Sequence, residues 1–119
     1  AQSQDNTVML PFTLWQEAFI NDADAETARA TYELLSRQPY GLFVEKLDMR
    51  AFHALMGSGA IGCSFINCMQ DLSLPAGSWH PRMSSRLGKP RLVNMSGSHE
   101  VLFTDPVALA ESLIIAGRD

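Results

Sequence analysis

Two stretches, Ala60-Ile61-Gly62-Cys63-Ser64-Phe65-Ile66-Asn67 and Arg91-Leu92-Val93-Asn94-Met95, carry apolar side chains at both odd and even positions. Successive side chains of a strand point to opposite faces, so a strand with one wet face alternates polar and apolar residues. Loss of that alternation predicts strands covered on both faces, the condition of a parallel sheet. Between the two lie a loop from Met69 to Gly77, a helix predicted from Trp79 to Leu87, and Gly88 as its stop. The order β-loop-α-β predicts parallel strands joined by a right-handed crossover. A second loop follows, then a helix from Pro106 to Ala116, with Asp105 as N-cap, Pro106 at its first position and Gly117 at its end.

Two such strands do not make a sheet by themselves, because each needs hydrogen-bonded neighbours and two covered faces. The first half of the chain offers no third strand. Leu14, Trp15, Ala18 and Phe19 stand at helical spacing within Thr13 to Phe19. Asn21-Asp22-Ala23-Asp24 is a capping cluster before a helix of about 12 residues that presents Ala25, Ala28, Tyr32 and Leu35 and ends before Pro39. Asp48 caps a shorter helix through Leu55, broken by Gly57-Ser58-Gly59. The expectation is an α/β chain forming the edge of a larger sheet, with a helical segment over 1–57 and a β-α-β-α segment over 58–119. One of the strands is then expected to pair with a strand of another chain, across an obligate, apolar interface of more than about 2,000 Å².

The bulk numbers narrow the partners. The 119 residues suffice for one domain. A net charge of −4 with no Lys/Arg cluster argues against nucleic acid and against an anionic membrane surface. No apolar stretch approaches the roughly 20 residues of a membrane span, and the polar start AQSQDNTVMLP does not read as a signal peptide. Cys63 and Cys68 lie five apart, an odd spacing that turns them to opposite faces of a strand. Two free thiols fit a reducing, cytoplasmic setting. With no CxxC and no His/Cys cluster, neither a metal nor a cofactor is expected.

Ligands of open α/β sheets bind beyond the carboxyl ends of the strands. The loop after the first strand carries Asp71, in INCMQDLSLP, and the loop after the second carries His99, in NMSGSHE. Parallel neighbours raise both onto one rim, where a carboxylate can orient an imidazole that deprotonates a hydroxyl. His53, within a helix, and His80, before Pro81, have no comparable acid partner. The nucleophile is not in evidence. Ser58 lies between glycines but after a helix, and Ser96 and Ser98 flank the base loop itself, so none sits on the strand-to-helix G-x-S-x-G elbow.

Three segments carry a resemblance. AFINDADAETARATYELLSRQPYGLFVEKL is similar to the end of a helical cap, SFINCMQDLSLP resembles a strand and triad-acid loop, and LVNMSGSHEVLFTDPVALAESLI resembles a terminal strand, histidine loop and last helix. Together they resemble the C-terminal half of α/β-hydrolases of the plant methyl-esterase and hydroxynitrile-lyase family, which has bacterial members, from residue 10 to residue 117. The resemblance implies a serine esterase acting on a small-molecule ester, with His99 as base and Asp71 as its orienting acid. It implies that the serine lies upstream, and the leading expectation is that this N-terminal half is a separate chain, produced by cleavage within the cap. Leu14, Trp15 and Phe43 are then expected as apolar substrate walls, and Glu100 as a further substrate-binding residue. Glu100 stands where the lyases carry a lysine, which counts against cyanohydrin chemistry. A ligand receptor, or a lyase or cyclase with a modified triad, is the alternative on the same fold. An autonomous binding module is weaker, because two strands do not form a sheet.

Overall fold

The computed structural model describes residues 5–118; the first residues of the polar start lie outside them. The sheet that positions the site is β3 (Ser64–Cys68) beside β4 (Arg91–Met95), parallel, with Ser64 opposite Arg91 and Cys68 opposite Met95. β4 is where the sequence places it. The first strand is shorter than the expected 60–67, because its ladder runs only as far as the five residues of its partner. Among the described residues this sheet has two strands.

The terminal helix, α6 (Pro106–Ala116), is capped by the Asp105 carboxylate, which accepts from Ala108 N–H at 3.0 Å. It is tied to the start of the sheet, where Ser64 Oγ donates to Ala116 O at 2.7 Å and the Arg91 guanidinium donates to the Ile115 and Arg118 carbonyls. The helix predicted from Trp79 to Leu87 is instead two short turns, Ser78–Met83 and Ser84–Leu87. His80 is extended (φ −132°, ψ 127°), since the ring of a following proline pushes the preceding residue out of the helical region.

The helical half has its own small core. Helix α1 (Phe12–Leu14) runs into one wider turn, Trp15–Phe19, closed by Ile20 N–H on Trp15 O. Trp15, Ile20 and Ala28 are fully buried there. Asp24 caps α2 (Ala25–Tyr32) by accepting from Thr27 N–H at 2.7 Å. α2 stops after eight residues, short of the expected length, and the chain turns to pair β2 (Gln38–Pro39) with β1 (Thr7–Val8). That antiparallel pair was not predicted; Pro39 sits in it because a two-residue edge strand needs few of its N–H groups. Then come α3 (Gly41–Val44), also not predicted, and α4 (Arg50–Ser58), which runs through Gly57 to end at Gly59, whose φ of +70° suits glycine.

Leu42, Phe43, Val44 and Leu47 are more than half exposed, and Phe52, Leu55 and Ile61 partly so. Exposed apolar side chains in one stretch mark a surface built to be covered. Among the described residues no helix is long and apolar enough to cross a membrane.

Candidate active site

The parallel ladder does not stop at the strand ends. Met69 N–H donates to Met95 O at 2.9 Å and Gln70 N–H to Gly97 O at 3.0 Å, so the two departing loops leave the rim side by side. Asp71 follows that seam directly, and His99 follows it after Ser98. His99 Nδ1 lies 2.8 Å from Asp71 Oδ2. An ionised carboxylate only accepts, so Nδ1 carries the proton and Nε2 keeps its lone pair. Nε2 has no hydrogen-bond partner among the described residues.

The other carboxylate oxygen is also engaged. Asp71 Oδ1 accepts from Ser73 N–H at 2.9 Å and from Ser73 Oγ at 2.5 Å. Ser73 Oγ in turn accepts from Trp79 Nε1 at 3.0 Å and stands 3.2 Å from His99 Nδ1. Burial alone would raise the Asp71 carboxyl, but the hydrogen bonds from Ser73 and His99 outweigh it and hold it below the usual carboxylate range. The acid therefore stays ionised beside the imidazole.

Aromatic rings fix the imidazole plane. Trp79 stacks on His99 with centroids 5.3 Å apart and 23° between planes, and Phe19 meets it edge-on at 5.1 Å. In front of the pair is a cavity of about 250 Å³, walled by Phe65, Ile66, Cys68 and Trp79. Burial, with Asp71 and Asp22 nearby, pushes the Cys68 thiol up, so it is a neutral wall and not an activated nucleophile. Glu100 follows His99, half-buried, with its N–H donated to Phe19 O at 3.1 Å. Burial raises its carboxyl; the charges of His99 and Asp71 pull in opposite directions on what remains.

Of the expected substrate walls, none lines this cavity. Trp15 is 2% exposed and donates its indole N–H to Ala28 O at 3.0 Å, which makes it a core residue. It bears on the site only through Phe19, on which it stacks. Leu14 and Phe43 lie on the surface. His53 packs on Phe52, and His80 is bonded through Nδ1 to Ser84 Oγ at 2.7 Å. Of the three candidate nucleophilic serines, Ser58 donates to Leu55 O and Ser96 to Gln70 Oε1, while Ser98 is wholly buried, its Oγ without a hydrogen-bond partner among the described residues. Among the described residues no three His, Cys, Asp or Glu side chains cluster as metal ligands would.

Sequence reasoning missed Ser73 and Trp79. The Asp-x-Ser spacing of Asp71-Leu72-Ser73 is a signal for a carboxylate that accepts from its own loop. Trp79 had none, since it was absorbed into a helix that does not form.

No family model matches the sequence, and no curated protein does. Among solved structures, the chain is similar to an extracellular alpha/beta-hydrolase from a Paenibacillus species, described as sharing structural and functional homology with Tobacco Salicylic Acid Binding Protein 2. The two are 35% identical and superpose with a TM-score of 0.86 over 96% of this chain. The chain spans 47% of that protein, about half its length. With its two parallel strands, its acid-then-histidine order and this likeness, the chain is the C-terminal part of an α/β-hydrolase fold.

Proposed function

We propose that this chain supplies the acid and the base of a serine esterase whose nucleophile is carried by a second chain, the N-terminal half of the same hydrolase. The observation that carries the proposal is the Asp71–His99 pair at adjacent strand ends, with Nδ1 held, Nε2 unbonded among the described residues, and both residues lining one cavity. In the reaction, Nε2 takes the proton of the serine hydroxyl as its oxygen attacks the ester carbonyl, and Asp71 offsets the charge that forms on the imidazole. The proton then passes to the departing alkoxide, leaving an acyl-serine. A water molecule, deprotonated by the same nitrogen, releases the acid and restores the serine. The strand-end geometry, the ionised Asp71 and the α/β-hydrolase likeness support this reading; so does the exposed apolar stretch from Leu42 to Ile61, which the partner would cover.

A second reading, a ligand receptor or non-hydrolytic enzyme on the same fold, draws on Glu100 beside the base and on the neighbour's homology to a binding protein. The expectation of a cytoplasmic setting, drawn from the free cysteines, is not supported by the neighbour, which is described as extracellular.

The test is hydrolysis of nitrophenyl acetate by this chain together with its nucleophile-bearing partner. His99→Ala is expected to abolish turnover, and Asp71→Asn to cost about four orders of magnitude, as the equivalent change does in a serine protease. Near wild-type turnover in either variant would overturn the assignment.

A further inference from the structure

The turn Asn21-Asp22, between the Trp15–Phe19 turn and α2, takes no part in capping α2, which is the work of Asp24. Its side chains reach across the molecule. Asn21 Nδ2 donates to Gln70 O at 3.0 Å, on the residue before the acid. Asp22 Oδ2 accepts from Ser98 N–H at 3.1 Å, on the residue before the base, and from Thr104 Oγ1 at 3.1 Å. These contacts join residues 49, 76 and 82 positions apart in sequence. Between the two anchored points, Gln70 Oε1 accepts from Ser96 Oγ at 3.0 Å and from Gly97 N–H at 2.5 Å.

We propose that Asp22, seconded by Asn21, is a positioning residue for His99: its carboxylate fixes the base loop on both sides of the histidine while Asn21 fixes the acid loop. The proposal rests on the reading of Asp71–His99 as acid and base. Ser98 is wholly buried, so without the carboxylate its N–H would be left unsatisfied and the loop would rearrange to pair it. Any such shift moves His99 Nδ1 relative to Asp71, because His99 is the next residue. Burial works against the Asp22 charge, but the bonds from Ser98 and Thr104 outweigh it and keep the carboxyl ionised. Bonds to an ionised acceptor are the strong kind, suited to holding a loop. Asp22 acts through the loop and touches no substrate.

Three variants in the complete enzyme test this, with two readouts besides stability. One is the downfield proton resonance of His99 Nδ1–H, which needs no turnover; the other is the separation of kcat from KM. Asp22→Ala is expected to lose the resonance to solvent exchange and to lower kcat about 10²-fold with KM steady, the size of effect a misplaced catalytic group produces. Asp22→Asn keeps an acceptor oxygen at the same point and is expected to recover the resonance and most of kcat. An Asp22→Ala enzyme that melts earlier yet keeps both would overturn the proposal, and so would an Asp22→Asn enzyme that folds and is no better than the alanine variant. Should Asp22→Ala not fold, Thr104→Val removes one donor only and is expected to show the same pattern at smaller size; an unchanged resonance and kcat there would also overturn it. If the wild type shows the resonance without esterase turnover, and Asp22→Ala loses it, the positioning role stands and the esterase reading falls.

Discussion

Gly97→Ala tests whether the base loop is as tightly specified as its contacts imply. Gly97 has φ of +129°, a backbone region that side-chain-bearing residues rarely adopt. Holding alanine there costs about 1–3 kcal/mol. A Cβ at this position would lie 2.6 Å from Val101 Cγ2 and 3.1 Å from Val101 Cβ. Val101 opens α5 (Val101–Thr104) and is buried, so it has little room to withdraw, and overpacking of this kind adds about 1–3 kcal/mol. The combined loss is expected at about 2–6 kcal/mol in urea unfolding of the complete protein. It separates into two parts: Val101→Ala removes the 2.6 Å contact with Cγ2 but leaves the contact with Cβ and the backbone strain. The double variant should therefore lose about 1–2 kcal/mol less than the two single losses added, within the range of coupled neighbours. Turnover should fall as well, since Gly97 N–H and O both bond to Gln70 and His99 is two residues on. Gly97→Ala within about 0.5 kcal/mol of wild type, the scale of a neutral surface change, would refute the reasoning.

Ser73→Ala removes a donor to the Asp71 carboxylate, a bond to a charged group worth about 1.5–3 kcal/mol, and should lower kcat about ten- to a hundredfold while leaving the ester KM near its wild-type value. Glu100 has a carboxyl raised in the fold, so its contribution to stability is full below the ordinary value of 4.5 and is lost as pH rises through the folded value. Glu100→Gln should accordingly raise Tm at pH 7, with the gain vanishing near pH 4 by thermal melting. Asp22 and Asp71 have the opposite sign. Their depressed carboxyls stabilise the fold above the ordinary 3.8, and this is lost as pH falls through lower values, so Tm should drop more steeply below about pH 4 than in an Asp22→Asn, Asp71→Asn double variant.

The parallel pair and its rim were legible because apolar runs without alternation have few other uses, and because Asp105-Pro106 and Gly117 bound α6 by local rules. The juxtaposition of Asp71 and His99 followed from that topology. What escaped the reading was set by tertiary contact. α2 ends early because the chain leaves it to pair Gln38–Pro39 with Thr7–Val8, and two-residue strands leave no periodic trace. The helix over Trp79 to Leu87 was undone by Pro81 acting on His80, a local signal that helical spacing concealed. In sequence Trp15 reads equally as core or substrate wall; its burial and its bond to Ala28 O decide for core. Asn21 and Asp22 looked like part of a cap, and only distances to residues far along the chain give them another role.

The polar part of the site is complete in a sense that the apolar part is not. Every heteroatom of the Asp71 side chain is bonded, His99 Nδ1 is bonded, and the imidazole is stacked and edged by Trp79 and Phe19, all from residues of this one chain. The covering of Phe43, Leu47 and their neighbours is not supplied by any described residue. Electrostatic preorganisation acts by having charges in place before the reaction needs them. On the proposed reading, acid and base are therefore oriented by contacts that do not depend on the partner, and association has only to bring a hydroxyl to Nε2. The partner's affinity should then be governed by the apolar surface and not by the dyad. Asp71→Asn is expected to leave the dissociation constant of the two chains unchanged while turnover collapses, and Leu47→Asp to weaken association with the His99 Nδ1–H resonance of the assembled enzyme intact. Loss of binding in Asp71→Asn, read by titration calorimetry, would mean that the dyad is formed by assembly and not before it.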